Sequence, residues 1–184
     1  MPSPTDAIPI LTPRLQIRPY EASDLDVLHE TVRNPKVFFW RKTPMTRDET
    51  QALMDRSRAL FEQSRMGWWL VSDRRTAQPM GQVILQPLAN SGEIEIGYHF
   101  RPEYWGSGYA TEAASALRDY AFDVLELPRL VAVVLPTNTP SQNVMRRLGL
   151  PKVGRRIHAD LEHDYFSLER AEFLARRAAV AAKK

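Results

Sequence analysis

The apolar positions keep two rhythms along the chain, one of period two and one near 3.6. Arg14-Leu15-Gln16-Ile17-Arg18 alternates polar and apolar, as a half-buried strand does. Ser23 and Asp24 offer an N-cap to a helix carrying Leu25, Leu28 and Val32, and Asn34-Pro35 ends it. After Phe38-Phe39-Trp40 and a loop with Lys42 and Pro44, the capping box Thr46-x-x-Glu49 starts a second helix, which Gly67 stops. Trp68-Trp69-Leu70-Val71 reads as the second strand, its two indoles divided between core and pocket. Residues 74–78 read as a turn, 79–86 as the third strand and Asn90-Ser91-Gly92 as a hairpin turn. The fourth strand, residues 93–100, alternates cleanly. Ile94, Ile96, Tyr98 and Phe100 share one face, and Glu93, Glu95 and His99 share the other.

Gly108 opens a long helix with an apolar stripe of Ala110, Ala113, Ala114, Leu117, Tyr120, Ala121 and Val124. Leu130-Val131-Ala132-Val133-Val134-Leu135 is a continuous apolar run, the mark of a strand buried on both faces. Thr139-Pro140 reads as the cap and first position of another helix, and Gly149 as its stop. Residues 153–158 and 163–168 read as two closing strands and residues 169–184 as a final helix. The hairpins of the first half and the strand–helix–strand crossover of the second predict a mixed α/β (α+β) architecture. Its central sheet is mostly antiparallel, has about seven strands and is flanked by helices. Residues 1–12, rich in proline, are expected to be a flexible N-terminus, and 13–184 to form a single domain.

Between the fourth strand and the long helix lies Arg101-Pro102-Glu103-Tyr104-Trp105-Gly106-Ser107-Gly108-Tyr109-Ala110-Thr111-Glu112. A strand leads into it, a helix leads out, and two glycines sit in the turn. That is the layout of a main-chain cradle for phosphate oxygens: glycine lets the backbone approach, and free N–H groups at a helix start point at the anion. No Lys-Ser or Lys-Thr follows, which excludes a nucleotide P-loop, and the third glycine of a dinucleotide fingerprint is missing. Taken alone, these residues read more simply as a glycine-rich strand-to-helix turn with no ligand.

Composition narrows the chemistry. The 184 residues hold no cysteine, so thiolate nucleophiles, disulfides and cysteine metal sites are excluded. The net charge of +3 comes largely from arginine pairs and lacks the dense stripe of a nucleic-acid binder, so no nucleic-acid partner is expected. The longest apolar run is far shorter than the ~20 residues of a membrane helix. Residues 1–9 lack the basic and apolar regions of a signal peptide. A cytoplasmic protein without a membrane partner is expected. His29, His158 and His163 lack metal-ligand spacing, and no metal is expected.

The order of elements around this turn resembles the GNAT acyl-CoA-dependent N-acetyltransferases, over residues 11–173. Three segments carry the likeness: Thr12-Pro13-Arg14-Leu15 with Arg18-Pro19; Glu95-Ile96-Gly97-Tyr98 with the glycine turn; and Asn138-x-x-Ser141-x-x-Val144-Met145-x-x-Leu148-Gly149-Leu150. The second is similar to the form found in the Rim type, which acetylates N-termini of ribosomal proteins. The resemblance implies a GNAT-type sheet and an enzyme that moves an acetyl group from acetyl-CoA to an amine by direct attack. It assigns main-chain contacts with the pantetheine arm to Tyr98, His99 and Phe100. It assigns the pyrophosphate to Trp105, Gly106, Ser107, Gly108, Tyr109 and Ala110, with Thr111 beside them, and a further cofactor contact to Asn138 and Ser141. Arg146, Arg147 and Lys152 are candidates for the 3′-phosphate.

For the proton chemistry, Glu95 is the first candidate base and Glu93 the fallback. Many family members have a tyrosine seven residues after the asparagine. Here that position is Met145, which cannot donate a proton, so Ser141 becomes the candidate acid. Phe38, Phe39 and Trp40 are candidates for the acceptor site. The expected acceptor is a protein or peptide N-terminal amine. A small amine (amino sugar, polyamine or antibiotic) is the alternative, and a non-catalytic acyl-CoA-binding regulatory domain is another. The chain is expected to be a monomer or homodimer.

Overall fold

The computed structural model describes residues 8–89 and 91–182. Along the chain come β1 (Ile10–Leu11), β2 (Leu15–Pro19), α1 (Leu25–Val32), α2 (Arg47–Ser64), β3 (Gly67–Asp73), β4 (Pro79–Pro87), β5 (Ile94–Phe100) and α3 (Tyr109–Asp123). Then follow β6 (Arg129–Val134), α4 (Thr139–Arg147), β7 (Lys152–His158), β8 (Leu161–Glu169) and α5 (Arg170–Ala181). The strands form one sheet in the order β1-β2-β3-β4-β5-β6-β8-β7. Every neighbouring pair is antiparallel except β5 and β6, which run parallel.

Two details differ from the sequence reading. The sheet has eight strands rather than seven. The extra one, β1, falls in the segment expected to be flexible: Ile10 pairs with Ile17 and Leu11 with Gln16. Thr12 anchors the same segment through its Oγ1, which donates to Glu112 at 2.6 Å. Residues 1–7 of that segment lie outside the described residues, as does Asn90 of the expected hairpin turn. The second detail is the cap of α4. It is Asn138, whose Oδ1 accepts from the Ser141 N–H at 3.2 Å, and not Thr139. Pro140 still sits in the first turn, where its missing N–H is not needed.

Alternation along the strands builds two cores. On one face Trp69, Val83, Leu85, Ile96 and Phe100 pack with Ala113, Ala114 and Leu117 of α3 and Met145 of α4. The two alanines let α3 lie close to the sheet. On the other face Trp68, Leu70 and Ile84 pack with Leu28 and Val32 of α1, Met54 of α2 and Phe38. Each fully buried large apolar side chain contributes about 1.5–3 kcal/mol.

Polar clasps fix α1 and α2 on this second face. Arg18 and Asp24 form a fork at 2.6 and 2.9 Å that ties the end of β2 to the start of α1. Arg101, just past β5, donates to Thr31 Oγ1 and to the Val27 carbonyl of α1, both at 3.2 Å. Ser57 Oγ of α2 accepts the Trp68 N–H at 2.8 Å. α1, α2 and their connecting loop are thereby held over β3–β5.

Candidate active site

β5 and β6 share one register pair, Glu95 with Val131. Beyond it the two strands diverge, and the β6-facing edge of β5 from Gly97 onward carries no ladder. This opens a cleft along the strand that leads to the glycine turn. Such an edge offers main-chain donors and acceptors to an extended, amide-bearing ligand.

At the head of the cleft, Gly106 and Gly108 have φ of +76° and +80°, a region that disfavours any side chain. The first main-chain bond of α3 runs from the Glu112 N–H to the Gly108 carbonyl. The six N–H groups of residues 106–111 meet no acceptor among the described residues. The Trp105 N–H is a different case. It is closed within its own turn on the Pro102 carbonyl at 3.1 Å. The Trp105 indole donates to the Phe100 carbonyl at 2.7 Å. Trp105 therefore drops out of the cradle as a main-chain donor, and the Phe100 carbonyl is already engaged.

Glu112 lies in the first turn of α3, where its charge would oppose an incoming anion. It is turned aside. It accepts from Thr12 Oγ1, from the Arg14 N–H at 3.1 Å and from Arg14 Nε at 2.6 Å. Burial pushes its pKa up, but these bonds outweigh it and hold the carboxyl below its usual range. Arg14 also donates to the Ser107 carbonyl at 3.0 Å and lies over the Tyr109 ring at 4.2 Å. It braces the turn from outside. Beside it Pro13, Asp73, Arg74 and Arg75 complete the lining of a cavity of about 440 Å³.

On the α3/α4 side of the cleft, the Tyr98 hydroxyl donates to Ser141 Oγ at 2.9 Å. The Ser141 hydrogen then has no acceptor among the described residues and is free to be donated. Burial pushes the Tyr98 pKa up, against the opposing effect of the Ser141 bond, so its proton stays on. Met145 is buried core. Asn138 spends its Oδ1 on the helix cap, leaving its amide nitrogen as the group able to reach a cofactor.

On the opposite face, β5 presents Glu95, Gly97 and His99. Across the register they meet Gln86, Ile84 and Gln82 of β4. Trp68 Nε1 donates to Gln86 Oε1 at 2.7 Å, and Gln86 Nε2 donates to Glu95 Oε1 at 2.6 Å. Glu95 Oε2 makes no bond among the described residues. Burial raises the Glu95 pKa, and the Gln86 bond and His158 only partly offset it. His99 is packed by Phe38 at 4.4 Å and by Trp40 and Trp68 at 5.6 Å, ring centre to ring centre. Desolvation pushes its pKa down to about 3, so the ring is neutral at ordinary pH. Phe38 is buried, whereas Phe39 and Trp40 are exposed at the rim, Phe39 edge-on to Trp40 at 5.2 Å.

The structure thus places Tyr98, Ser141 and Asn138 together on one face of β5, and Glu95 and His99 with Phe38 and Trp40 on the other, while residues 106–111 follow the end of the strand. Glu93 is elsewhere. It accepts the Tyr165 hydroxyl at 2.6 Å and pairs with Arg156 and Arg129. Burial pushes its pKa up, but those partners prevail and lower it, which makes it a poor base. Lys152, a candidate for the 3′-phosphate, is paired with Asp164 at 2.6 Å. His29 is held by Thr50 at 2.8 Å. No cluster of three or more metal-ligating side chains occurs among the described residues. The sequence reading missed Gln82, Gln86, Tyr20 and the side chain of Tyr98. The signal for the two glutamines was present: two amides four residues apart, on one face of an otherwise apolar strand.

Comparison with known proteins agrees with this fold. The model of the acetyltransferase (GNAT) domain matches residues 14–151. The chain is 32% identical over 152 residues to the uncharacterised N-acetyltransferase p20 of Bacillus licheniformis, covering 79% of this chain and 83% of p20. It is 29% identical over 154 residues to spermidine N(1)-acetyltransferase of Escherichia coli K12, covering 83% of this chain and 78% of that one. A Vibrio cholerae structure, named as a proposed ribosomal-protein-serine acetyltransferase, superposes with a TM-score of 0.71 at 26% identity. That match covers 87% of this chain and 96% of the other. The chain belongs to the GNAT acetyltransferase family. It is an N-acetyltransferase with the mixed sheet of that fold.

Proposed function

We propose that the protein transfers the acetyl group of acetyl-CoA to the N-terminal amine of a peptide or protein by direct attack. The observation that carries the cofactor half is the run of six unpartnered N–H groups at residues 106–111, in line with the unpaired edge of β5. These residues fit a pyrophosphate followed by an extended amide arm, with Tyr98 and His99 at the edge and Asn138 across the cleft. Acetyl-CoA supplies the activated acyl carbon and a thiolate leaving group.

The chain's own groups then divide the work between the two faces of β5. Glu95, through its free Oε2, takes the proton that the attacking amine must lose, directly or through a water. The amine nitrogen bonds to the carbonyl carbon and the carbon–sulfur bond breaks. Ser141 donates a hydrogen bond to the departing sulfur, which leaves as the thiolate, and Tyr98 supports the serine by donating to its oxygen.

An N-terminal amine is favoured over a polyamine by the acceptor face itself. Among the described residues that β3, β4 and β5 turn to it, Glu95 is the sole carboxylate; the others include amides, aromatics and the apolar Leu70 and Ile84. The spermidine acetyltransferase of E. coli, at 29% identity, keeps a polyamine as the second reading. A thiol-release assay with acetyl-CoA separates them over a panel of N-terminal peptides, spermidine and an amino sugar. Release with the peptides is the expected result, and release with spermidine alone would overturn the assignment of the acceptor.

A further inference from the structure

His99 is the group on the acceptor face that the chemistry above does not use, and its setting is built rather than incidental. The Tyr20 hydroxyl donates to Gln82 Oε1 at 2.9 Å. Gln82 Nε2 lies 3.3 Å from His99 Nδ1. Tyr20 and Gln82 are both buried, the latter at 0% exposure. The direction of this chain decides which ring nitrogen of His99 carries the proton. If the Gln82 amide were reversed, its nitrogen would donate to the tyrosine oxygen, and the buried Tyr20 hydrogen would be left without an acceptor. With the amide as it stands, Gln82 donates and Nδ1 accepts. The proton of the neutral ring is therefore on Nε2.

Nε2 has no partner among the described residues. Among the described residues, Trp69 Nε1 is the buried side-chain nitrogen that lacks a hydrogen-bond partner, so Nε2 is not sealed in. It is the edge of a ring whose surroundings Phe38, Trp40 and Trp68 fill. Two residues down the strand, about 6.6 Å away, Gly97 leaves the floor bare. Glu95 follows on the same face.

We propose that His99 is a specificity-determining residue whose Nε2–H donates to an oxygen of the acceptor, the carbonyl beside the reacting amine, and that Gln82 and Tyr20 are positioning residues for it. The inference rests on the reading of this face as the acceptor side. An α-amine followed by a peptide carbonyl supplies such an oxygen within a few bonds of the nitrogen. A polyamine supplies only further N–H donors, which meet the His99 N–H donor to donor. A site built around a donor discriminates against ligands that leave it unpaired.

The test compares two acceptors in the thiol-release assay: a short peptide with a free N-terminus, and its analogue in which the first carbonyl is a methylene. The wild-type protein is expected to favour the peptide in kcat/KM. In His99→Phe, which keeps a ring among the aromatics, the preference is expected to fall about tenfold, chiefly through KM. Tyr20→Phe, which deletes one oxygen, provides a second route should His99→Phe fail to fold. It frees the Gln82 amide to turn and is expected to lower the same preference. In parallel, nitrogen-15 spectra of labelled histidine are expected to show His99 as the Nε2–H tautomer in the wild-type protein and a shifted tautomer balance in Tyr20→Phe. Thiol release with an unchanged preference in both variants overturns the role of His99 and leaves the proposed function standing. An Nδ1–H tautomer in the wild-type protein does the same. No release with any acceptor overturns both.

Discussion

A carboxylate serves as base for an amine better when its pKa has been lifted, and Glu95 is lifted by burial on β5. The sign of the pH dependence follows. The working form is deprotonated, so kcat/KM is expected to rise with pH along a limb displaced above 4.5, the ordinary glutamate value. Glu95→Gln is expected to lower kcat by about a hundredfold or more and to remove that limb from the pH–rate profile. A retained limb would assign it to another group. On the other face of the strand, Ser141→Ala is expected to lower kcat by at least about tenfold with little change in acetyl-CoA binding, because the lost donor acts on the developing thiolate. An unchanged turnover number would remove the serine from the mechanism. At this scale the sequence was readable where a residue stood out from its pattern: Glu95 and His99 on the polar side of an alternating strand, Met145 where a tyrosine was expected. It was unreadable where a role depends on a partner distant in the chain. Ser141 with Tyr98, Gln82 with His99 and Arg14 with Glu112 are 43, 17 and 98 residues apart.

At the scale of elements, the face proposed for the acceptor exists because α1 and α2 are pinned to the sheet by a few polar clasps. The Arg18–Asp24 fork is the ion pair among them, with Asp24 at 8% exposure. Burial pushes the Asp24 pKa up, but the bonds from Arg18 and the Glu21 N–H prevail and lower it. A depressed acid contributes stability above its unfolded pKa, and the contribution is lost as pH falls through the folded value. Asp24→Asn is accordingly expected to cost about 1–3 kcal/mol in denaturant unfolding near neutral pH. Its difference from the wild-type protein is expected to shrink once pH falls below the aspartate reference of 3.8. A difference that stays constant down to pH 2 would show that the charge pair is not its source. Most element boundaries were legible, because periodicity, capping boxes and glycine stops act locally. β1 was not: two residues among prolines carry no periodicity, and the strand forms because β2 offers them an edge. The α4 cap slipped by one residue for a related reason, since Asn138, Thr139 and Ser141 all have capping side chains and only the backbone path chooses between them.

For the whole molecule, the parallel neighbours β5 and β6 part after a single register pair, and this is what turns a sheet into a site. The cleft runs from the amides of residues 106–111, past the hydroxyl pair of Tyr98 and Ser141, to Glu95 and the aromatic rim. The order of elements and the three motif segments made the architecture and the position of the glycine turn readable from the chain. The splay of the strands was not, because it depends on how α3 and α4 seat against the sheet. The proposed acceptor face was the least legible part, because its lining is drawn from β3, β4, β5 and the loop after α1.

The central claim is that the turn around Gly106 and Gly108 holds coenzyme A by its main chain. Calorimetric titration of coenzyme A into the wild-type protein and into Gly106→Glu tests it most directly. A Cβ at residue 106 meets nothing within 4 Å, so the variant is expected to fold at a cost of about 1 kcal/mol for a side chain at positive φ. Its carboxylate would face the pyrophosphate. Binding weakened at least about tenfold in a folded variant is the expected result. Unchanged affinity would contradict the cradle and the reading of the cleft built upon it.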